Sequence, residues 1–172
     1  MRNHNMLVQA IQFATEMHKG QVRKYTGEPY VEHPIAVADL VEEYLDTNDY
    51  SDEDIVYAMV VAVLHDTVED TVATIETIAE IFGEEVAKGV WFLTKAPDFV
   101  GDRAERKALC RAKLAAAPRI IQIIKTFDMK HNGGSIKQYD PTFWDLFQKE
   151  TDSLLSAMKT ESIHTPICWG EE

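Results

Sequence analysis

The chain has 172 residues, of which 45% are hydrophobic, and a formal net charge of -12. The hydrophobic content excludes a disordered chain, and the negative charge argues against nucleic acid or an anionic membrane as a partner. Cys110 and Cys168 show neither disulfide nor metal-ligand spacing, and no apolar run is as long as a membrane span. We therefore expect a cytoplasmic protein. Its length predicts one domain over residues 1–160 and a tail over 161–172.

Apolar residues recur at helical spacing along most of the chain, which predicts an all-α fold. Ser51 and Thr74 are suited to cap the starts of helices, and Pro118 is suited to start another. Gly133-Gly134 predicts a break after the apolar helix that follows Pro118. The predicted helices cover about residues 4–18, 34–45, 51–66, 74–83, 84–94, 103–116, 118–132 and 141–159.

The densest cluster of ionisable groups follows the apolar run of residues 58–64. His65, Asp66, Glu69 and Asp70 can all bind a metal or move a proton. On a continuing helix, Glu69 would lie one turn beyond His65 and Asp70 one turn beyond Asp66. Placing these charges beside an apolar helix is costly unless they are paired or coordinated. The spacing therefore predicts a metal site with nearby acids.

A plainer interpretation of this stretch is a helix end that enters solvent, with Thr67 and Thr71 as capping residues. The density of ionisable groups favours metal chemistry over that interpretation. Imidazole and carboxylate ligands suit manganese, iron or zinc, so the residues alone do not choose the metal.

The segment 20–34 contains the adjacent basic residues Arg23 and Lys24 and ends in His33-Pro34. Beside a metal site, such a pair could hold a phosphate or stack on a base. Taken alone, Arg23 and Lys24 are better explained as surface residues that bond to nearby glutamates than as a substrate contact. His33 at a helix start could be either a cap or a metal ligand.

Two later segments add candidates to the site. Asp128 follows a strongly apolar run, as His65-Asp66 does, and is a candidate for one more metal ligand. Lys95 and the basic residues Arg103, Arg106 and Lys107 could neutralise substrate phosphates, or the latter three could form a solvated helix face.

The order His33, His65-Asp66 and Asp128 resembles the HD superfamily of metal-dependent phosphohydrolases, and therefore implies a single-domain helical bundle. Within that superfamily, linked motifs resemble the hydrolase domain of RelA/SpoT homologues over about residues 7–132. The motifs are Ala14-x-x-x-His18-x-Gly20-Gln21-x-Arg23-Lys24, Gly27-Glu28-Pro29-Tyr30-x-x-His33-Pro34, Leu64-His65-Asp66-Thr67-Val68-Glu69-Asp70-Thr71, Phe82-Gly83 and Leu93-Thr94-Lys95. Members of this family also carry a synthetase domain after the hydrolase domain, which 172 residues are too few to hold, so the resemblance leads us to expect a small alarmone hydrolase of the stand-alone type.

The resemblance implies hydrolysis of the 3′-pyrophosphate of the alarmone (p)ppGpp, giving GDP or GTP and pyrophosphate. It implies one divalent ion, usually manganese, and a small nucleotide substrate. The implied roles are metal ligation by His33, His65, Asp66 and Asp128, orientation and deprotonation of water by Glu69 and Asp70, and substrate contact by Arg23, Lys24, Lys95 and Asn132.

The chain departs from the family pattern at Met129, where the family often has arginine, and at Gly133-Gly134. These departures support a rival hypothesis, a related phosphohydrolase for another nucleotide, such as an NADPH 2′-phosphatase or a nucleotide pyrophosphatase. A second rival is an alarmone-binding sensor without catalysis. Such a sensor is expected to lack a ligand or a catalytic acid, and all six are present.

Overall fold

α-Helices form the regular structure of the residues that the computed structural model describes, which are 4–97 and 99–158. This confirms the predicted all-α fold. The one β feature among these residues is an isolated antiparallel bridge between Val22 and Pro29. The helices are α1 (Asn5–Met17), α2 (Glu32–Thr47), α3 (Asp52–Leu64), α4 (Thr67–Asp70), α5 (Ile75–Phe82), α6 (Glu84–Leu93), α7 (Arg103–Ala115), α8 (Arg119–Tyr139) and α9 (Pro141–Ala157).

The chain divides into two compact units between Thr94 and Lys95. The first contains α1 to α6 and the second α7 to α9. The single domain over residues 1–160 stays a prediction, and the predicted tail over 161–172 lies outside the described residues.

Helix α3 is the centre of the first unit. Every side chain from Ala58 to Leu64 is buried, and α3 packs against α1, α2 and α6. A helix that is apolar all round is stable only when it is covered on every side. Each fully buried valine or leucine contributes about 1.5–3 kcal/mol relative to an exposed one, so the end of α3 is held firmly in place.

Short polar side chains begin two helices of this unit, as predicted. The Ser51 hydroxyl accepts a hydrogen bond from the Asp54 backbone N–H at 3.1 Å, and that of Thr74 accepts one from the Thr77 N–H at 3.2 Å. These caps satisfy backbone donors that a helix start leaves without partners.

In the second unit, helix α8 is longer than the sequence predicts. The predicted break at Gly133-Gly134 is wrong, because α8 continues to Tyr139. Each glycine costs a helix about 1 kcal/mol relative to alanine. Gly133 and Ile136 are nevertheless buried, and α8 packs along α9. This tertiary packing outweighs the local preference of the two glycines.

None of the helices in the described part of the chain combines the length and the apolar character that crossing a membrane requires.

Gly89 on α6 tests the close packing of the first unit. A Cβ atom there would lie 2.7 Å from the Tyr57 hydroxyl and 2.9 Å from a Val61 methyl group. We expect Gly89→Ala to lower the free energy of unfolding, because overpacking of about 1–3 kcal/mol exceeds the helix-propensity gain of about 1 kcal/mol. Urea unfolding measures the difference.

Gly134→Ala is the matched control, since it also replaces a helical glycine but meets no atom within 4 Å. It should stabilise the protein by about 0.5–1 kcal/mol. Equal gains from both substitutions would contradict the packing described for Gly89.

Candidate metal centre

Three of the predicted metal ligands lie together in the first unit. His33, His65 and Asp66 each offer one ligand atom, and these atoms all lie within 4.8 Å of one another. The Asp66 Oδ2 atom is 3.1 Å from His65 Nε2 and 3.7 Å from His33 Nε2. His33 lies at the start of α2 and His65 directly after α3, so two helices and a turn separate them in sequence, and the packing of α2 against α3 brings them together.

Backbone geometry orients the His65 ring. Its Nδ1 atom is 2.7 Å from the carbonyl oxygen of Ala62, and a carbonyl can only accept a hydrogen bond. Nδ1 therefore carries a proton, and Nε2 is the nitrogen that faces the Asp66 carboxylate. A backbone carbonyl that fixes the tautomer in this way is typical of histidines that bind metals.

Helix α3 ends within the metal-binding motif. The helix predicted to run to about Asp66 ends two residues earlier, since α3 ends at Leu64 and α4 begins at Thr67. The Thr67 hydroxyl donates to the Leu64 carbonyl at 2.7 Å and so satisfies a helix-end acceptor. Asp70 still lies one helical turn beyond Asp66, as predicted, because the Asp70 N–H bonds to the Asp66 carbonyl at 2.9 Å.

The capping interpretation and the metal interpretation both describe part of this turn. Thr67 closes α3, and the Thr71 hydroxyl donates to the Thr67 carbonyl at 2.6 Å. Neither threonine occupies the ligand atoms of the histidines or Asp66. The helix end is therefore capped and still presents a cluster of ligands.

The donor set fits a divalent metal ion. Two buried imidazoles and one half-buried carboxylate give mixed nitrogen and oxygen ligands, which suit a first-row transition metal. A cation at this place would also offset the cost of keeping the Asp66 carboxylate among largely buried groups. Glu69 is half-buried and Asp70 exposed on α4, immediately after the cluster.

Tyr30 is part of this site, although the sequence analysis assigned it no role. Its hydroxyl is 2.7 Å from Asp66 Oδ2 and 3.1 Å from Asp70 Oδ2. Burial raises the pKa of Tyr30 above its ordinary value, and the two carboxylates raise it further, so the hydroxyl keeps its proton. Its position three residues before His33, within the Gly-Glu-Pro-Tyr motif, is the signal that could have identified it.

A small hairpin carries the predicted base-binding residues. The Arg23 N–H donates to the Glu28 carbonyl at 2.8 Å, and the Tyr30 N–H donates to the Gln21 carbonyl at 2.9 Å. The Arg23 guanidinium lies 5.8 Å from the centre of the Tyr30 ring, and Lys24 is exposed. The hairpin thus connects the Arg23-Lys24 pair to the tyrosine at the metal cluster.

Asp128 lies in the second unit, on α8, where it is buried. The Lys125 ammonium donates to Asp128 Oδ2 at 2.6 Å, and the Asn132 amide donates to Oδ1 at 2.8 Å. These bonds hold Asp128 as an oriented carboxylate. The metal-binding role of Asp128 and the substrate-binding role of Asn132 stay predictions.

The basic residues of α7 are engaged within the second unit. Arg103 and Lys107 each pair with Glu150 on α9 at 2.9 Å, and Arg106 donates to the Gly101 carbonyl at 2.8 Å. Burial alone would raise the pKa of Glu150, but the hydrogen bonds from Lys107 and Arg103 lower it below its ordinary value. The cluster therefore helps to join α7 to α9. Lys95, the other predicted phosphate contact, is exposed.

Comparison with known proteins identifies a domain family and several relatives of this chain. A family model described as the HD domain matches residues 10–108. A guanosine-3′,5′-bis(diphosphate) 3′-pyrophosphohydrolase of Aquifex aeolicus is 37% identical over 161 residues, which are 92% of this chain and 20% of that protein. A probable GTP pyrophosphokinase of Mycobacterium leprae is 36% identical over 143 residues, 81% of this chain and 17% of the relative. This chain thus spans about a fifth of the length of these relatives.

Two solved structures are similar over most of the chain. One is described as a metazoan ortholog of SpoT that hydrolyzes ppGpp and plays a role in starvation responses. It aligns with a TM-score of 0.76 at 26% identity and covers 92% of this chain and 88% of its own. The other, lmo0812 from Listeria monocytogenes, aligns with a TM-score of 0.59 at 28% identity and covers 79% of this chain and 84% of its own. The family match, together with the histidine and aspartate cluster, confirms the HD resemblance: the chain belongs to the HD domain family.

Proposed function

We propose that this chain is a manganese-dependent hydrolase that removes pyrophosphate from the 3′ position of (p)ppGpp. The observation that carries the proposal is the meeting of His33, His65 and Asp66, followed on α4 by Glu69 and Asp70. Relatives named for ppGpp hydrolysis support the choice of substrate. The identity of the metal comes from the resemblance, because the donor set suits several divalent ions.

In the reaction, water attacks the phosphorus bonded to the 3′ oxygen of the ribose, and the bond between that phosphorus and oxygen breaks. The proton that the attacking water loses is delivered to the 3′ oxygen, and GDP or GTP leaves with pyrophosphate. A bound divalent ion would supply Lewis acidity, which lowers the pKa of water and polarises the phosphoryl group.

The side chains have distinct roles in this proposal. His33, His65 and Asp66, with Asp128 as the predicted fourth ligand, hold the ion. Glu69 and Asp70 orient the attacking water and accept its proton. The nucleoside is contacted by Arg23 and Lys24 of the hairpin and by Asn132. Lys24 and Lys95 also offset the negative charge that develops on pyrophosphate.

Another nucleotide is the second candidate substrate. The observation in its favour is Met129, which stands where the family often has arginine and which is buried in the second unit. A panel of ppGpp, pppGpp, NADPH and common nucleoside triphosphates discriminates between the two. The account predicts the highest kcat/KM for an alarmone, and preference for NADPH or a triphosphate would contradict it.

Glu69→Gln tests the acid-base role. The substitution keeps the size of the side chain and removes its capacity to accept a proton. We expect pyrophosphate release from ppGpp to fall by about 10²–10⁴-fold, with manganese binding unchanged. Glu80→Gln, an exposed glutamate on α5, is the control and should remain fully active. Full activity of the Glu69 variant would refute the assigned role.

His65→Ala tests the metal centre. Loss of one imidazole should weaken manganese binding by at least about 10-fold, since even the outer partners of metal ligands have effects of this size. Competition with a fluorescent chelator measures the affinity. His4→Ala removes an exposed histidine and should bind manganese normally. Normal binding by the His65 variant would exclude it as a ligand.

Asp128→Asn tests the fourth ligand separately. The amide preserves the shape of the side chain but loses the charge, so manganese should bind about 10-fold more weakly or worse. Because the substitution also removes the ion pair between Lys125 and Asp128, thermal unfolding of the metal-free variant must be recorded in parallel. The exposed Asp145→Asn is the control in the same unit. An unchanged affinity would remove Asp128 from the ligand set.

A further inference from the structure

The Tyr30 hydroxyl lies between two carboxylates that have different predicted tasks. We propose that Tyr30 is a positioning residue that fixes the water-orienting Asp70 relative to the metal ligand Asp66. The inference rests on the proposed function for the roles of these two aspartates. It goes beyond that function because neither the family motifs nor the similar proteins described above assign a role to Tyr30.

The geometry allows one hydroxyl to restrain both side chains. Tyr30 Oη lies 2.7 Å from Asp66 Oδ2 and 3.1 Å from Asp70 Oδ2. Both distances are within the range of hydrogen bonds between a hydroxyl and a carboxylate or close to it. Two carboxylates that approach the same point repel each other, and the single O–H of Tyr30, shared between them in a three-centre hydrogen bond, offsets that repulsion. The hydroxyl therefore sets the spacing between the ligand and the acid.

Asp70 is exposed, and the bond from Tyr30 is one of the contacts that order its side chain. An exposed side chain samples several rotamers, and ordering it costs conformational entropy. An acid that takes a proton from water must lie within hydrogen-bond reach of that water. The bond to Tyr30 fixes the orientation of Asp70 before substrate arrives, which is the condition for efficient catalysis.

Asp70 is also held through its backbone by the same segment of the chain. The Gln21 amide donates from Nε2 to the Asp70 carbonyl at 2.8 Å, and its Oε1 is 2.8 Å from His18 Nδ1. Since this orientation leaves the amide oxygen facing His18, Nδ1 must carry the proton. Residues 18–30 thus bond to the end of α4 twice, once at the Asp70 side chain and once at its backbone.

The Tyr30 ring is itself held by packing. The buried His18 ring lies 4.8 Å from it at an interplanar angle of 31°, and the His33 ring lies 6.1 Å away, close to edge-on. These contacts involve the ring and not the hydroxyl. Removing the hydroxyl alone therefore separates the proposed positioning role from a purely structural role of the ring.

Tyr30→Phe is the test, and Tyr57→Phe is the matched control. Tyr57 is a half-buried tyrosine of the same unit whose hydroxyl donates to the Glu85 carbonyl at 3.4 Å, away from the cluster. For each full-length variant we would measure kcat and KM for ppGpp at saturating manganese, the dissociation constant for manganese, and the thermal midpoint.

We expect Tyr30→Phe to lower kcat by about 10- to 100-fold, as for other partners of metal ligands, with KM within about twofold of the wild type. Manganese should bind more weakly to this variant. Tyr57→Phe should keep the wild-type kcat. A wild-type kcat for Tyr30→Phe would overturn the proposal, and so would a loss of kcat that both variants share in proportion to a lowered thermal midpoint.

The same measurements separate this inference from the proposed function. If the wild-type protein releases no pyrophosphate from ppGpp, the proposed function fails, and manganese affinity alone then decides the role of Tyr30. A larger dissociation constant for Tyr30→Phe than for Tyr57→Phe would support its positioning of Asp66. Equal dissociation constants would overturn it.

Discussion

The Asp66 carboxylate is the interaction on which the candidate site depends. Its Oδ2 atom lies 2.7 Å from the Tyr30 hydroxyl, 3.1 Å from His65 Nε2 and 3.7 Å from His33 Nε2. An anion surrounded by largely buried groups is costly unless positive charge or hydrogen bonds compensate it. A divalent ion held by His33, His65 and Asp66 would supply that charge, and it would also supply the Lewis acidity that the proposed hydrolysis needs. Stability of the site and its chemistry therefore have the same physical requirement.

The first unit meets this requirement by placing the cluster at the end of its most buried helix. The apolar side chains of α3 fix the position of Leu64, and the turn after it is closed by the hydroxyls of Thr67 and Thr71. The Ala62 carbonyl then determines which nitrogen of His65 is available. A rigid helix end of this kind positions ligands more accurately than a free loop would.

Local patterns predicted most of the helices and the identity of the metal-binding motif. The caps at Ser51 and Thr74 and the apolar run before His65 act within a few residues, so the sequence displays them directly. The continuation of α8 past Gly133-Gly134 could not be predicted from local patterns, because it depends on the packing of α8 against α9. Neither could Tyr30, whose contacts with Asp66 and Asp70 span 36 and 40 residues along the chain.

The central claim is that one manganese ion at this cluster makes the chain a ppGpp hydrolase. The most direct test is to add manganese stepwise to metal-free protein and to record bound metal and pyrophosphate release from ppGpp in the same samples. The account predicts no release without metal and a rate that rises in proportion to bound manganese up to about one ion per chain. Release from metal-free protein, or a fully loaded protein that releases no pyrophosphate, would contradict it.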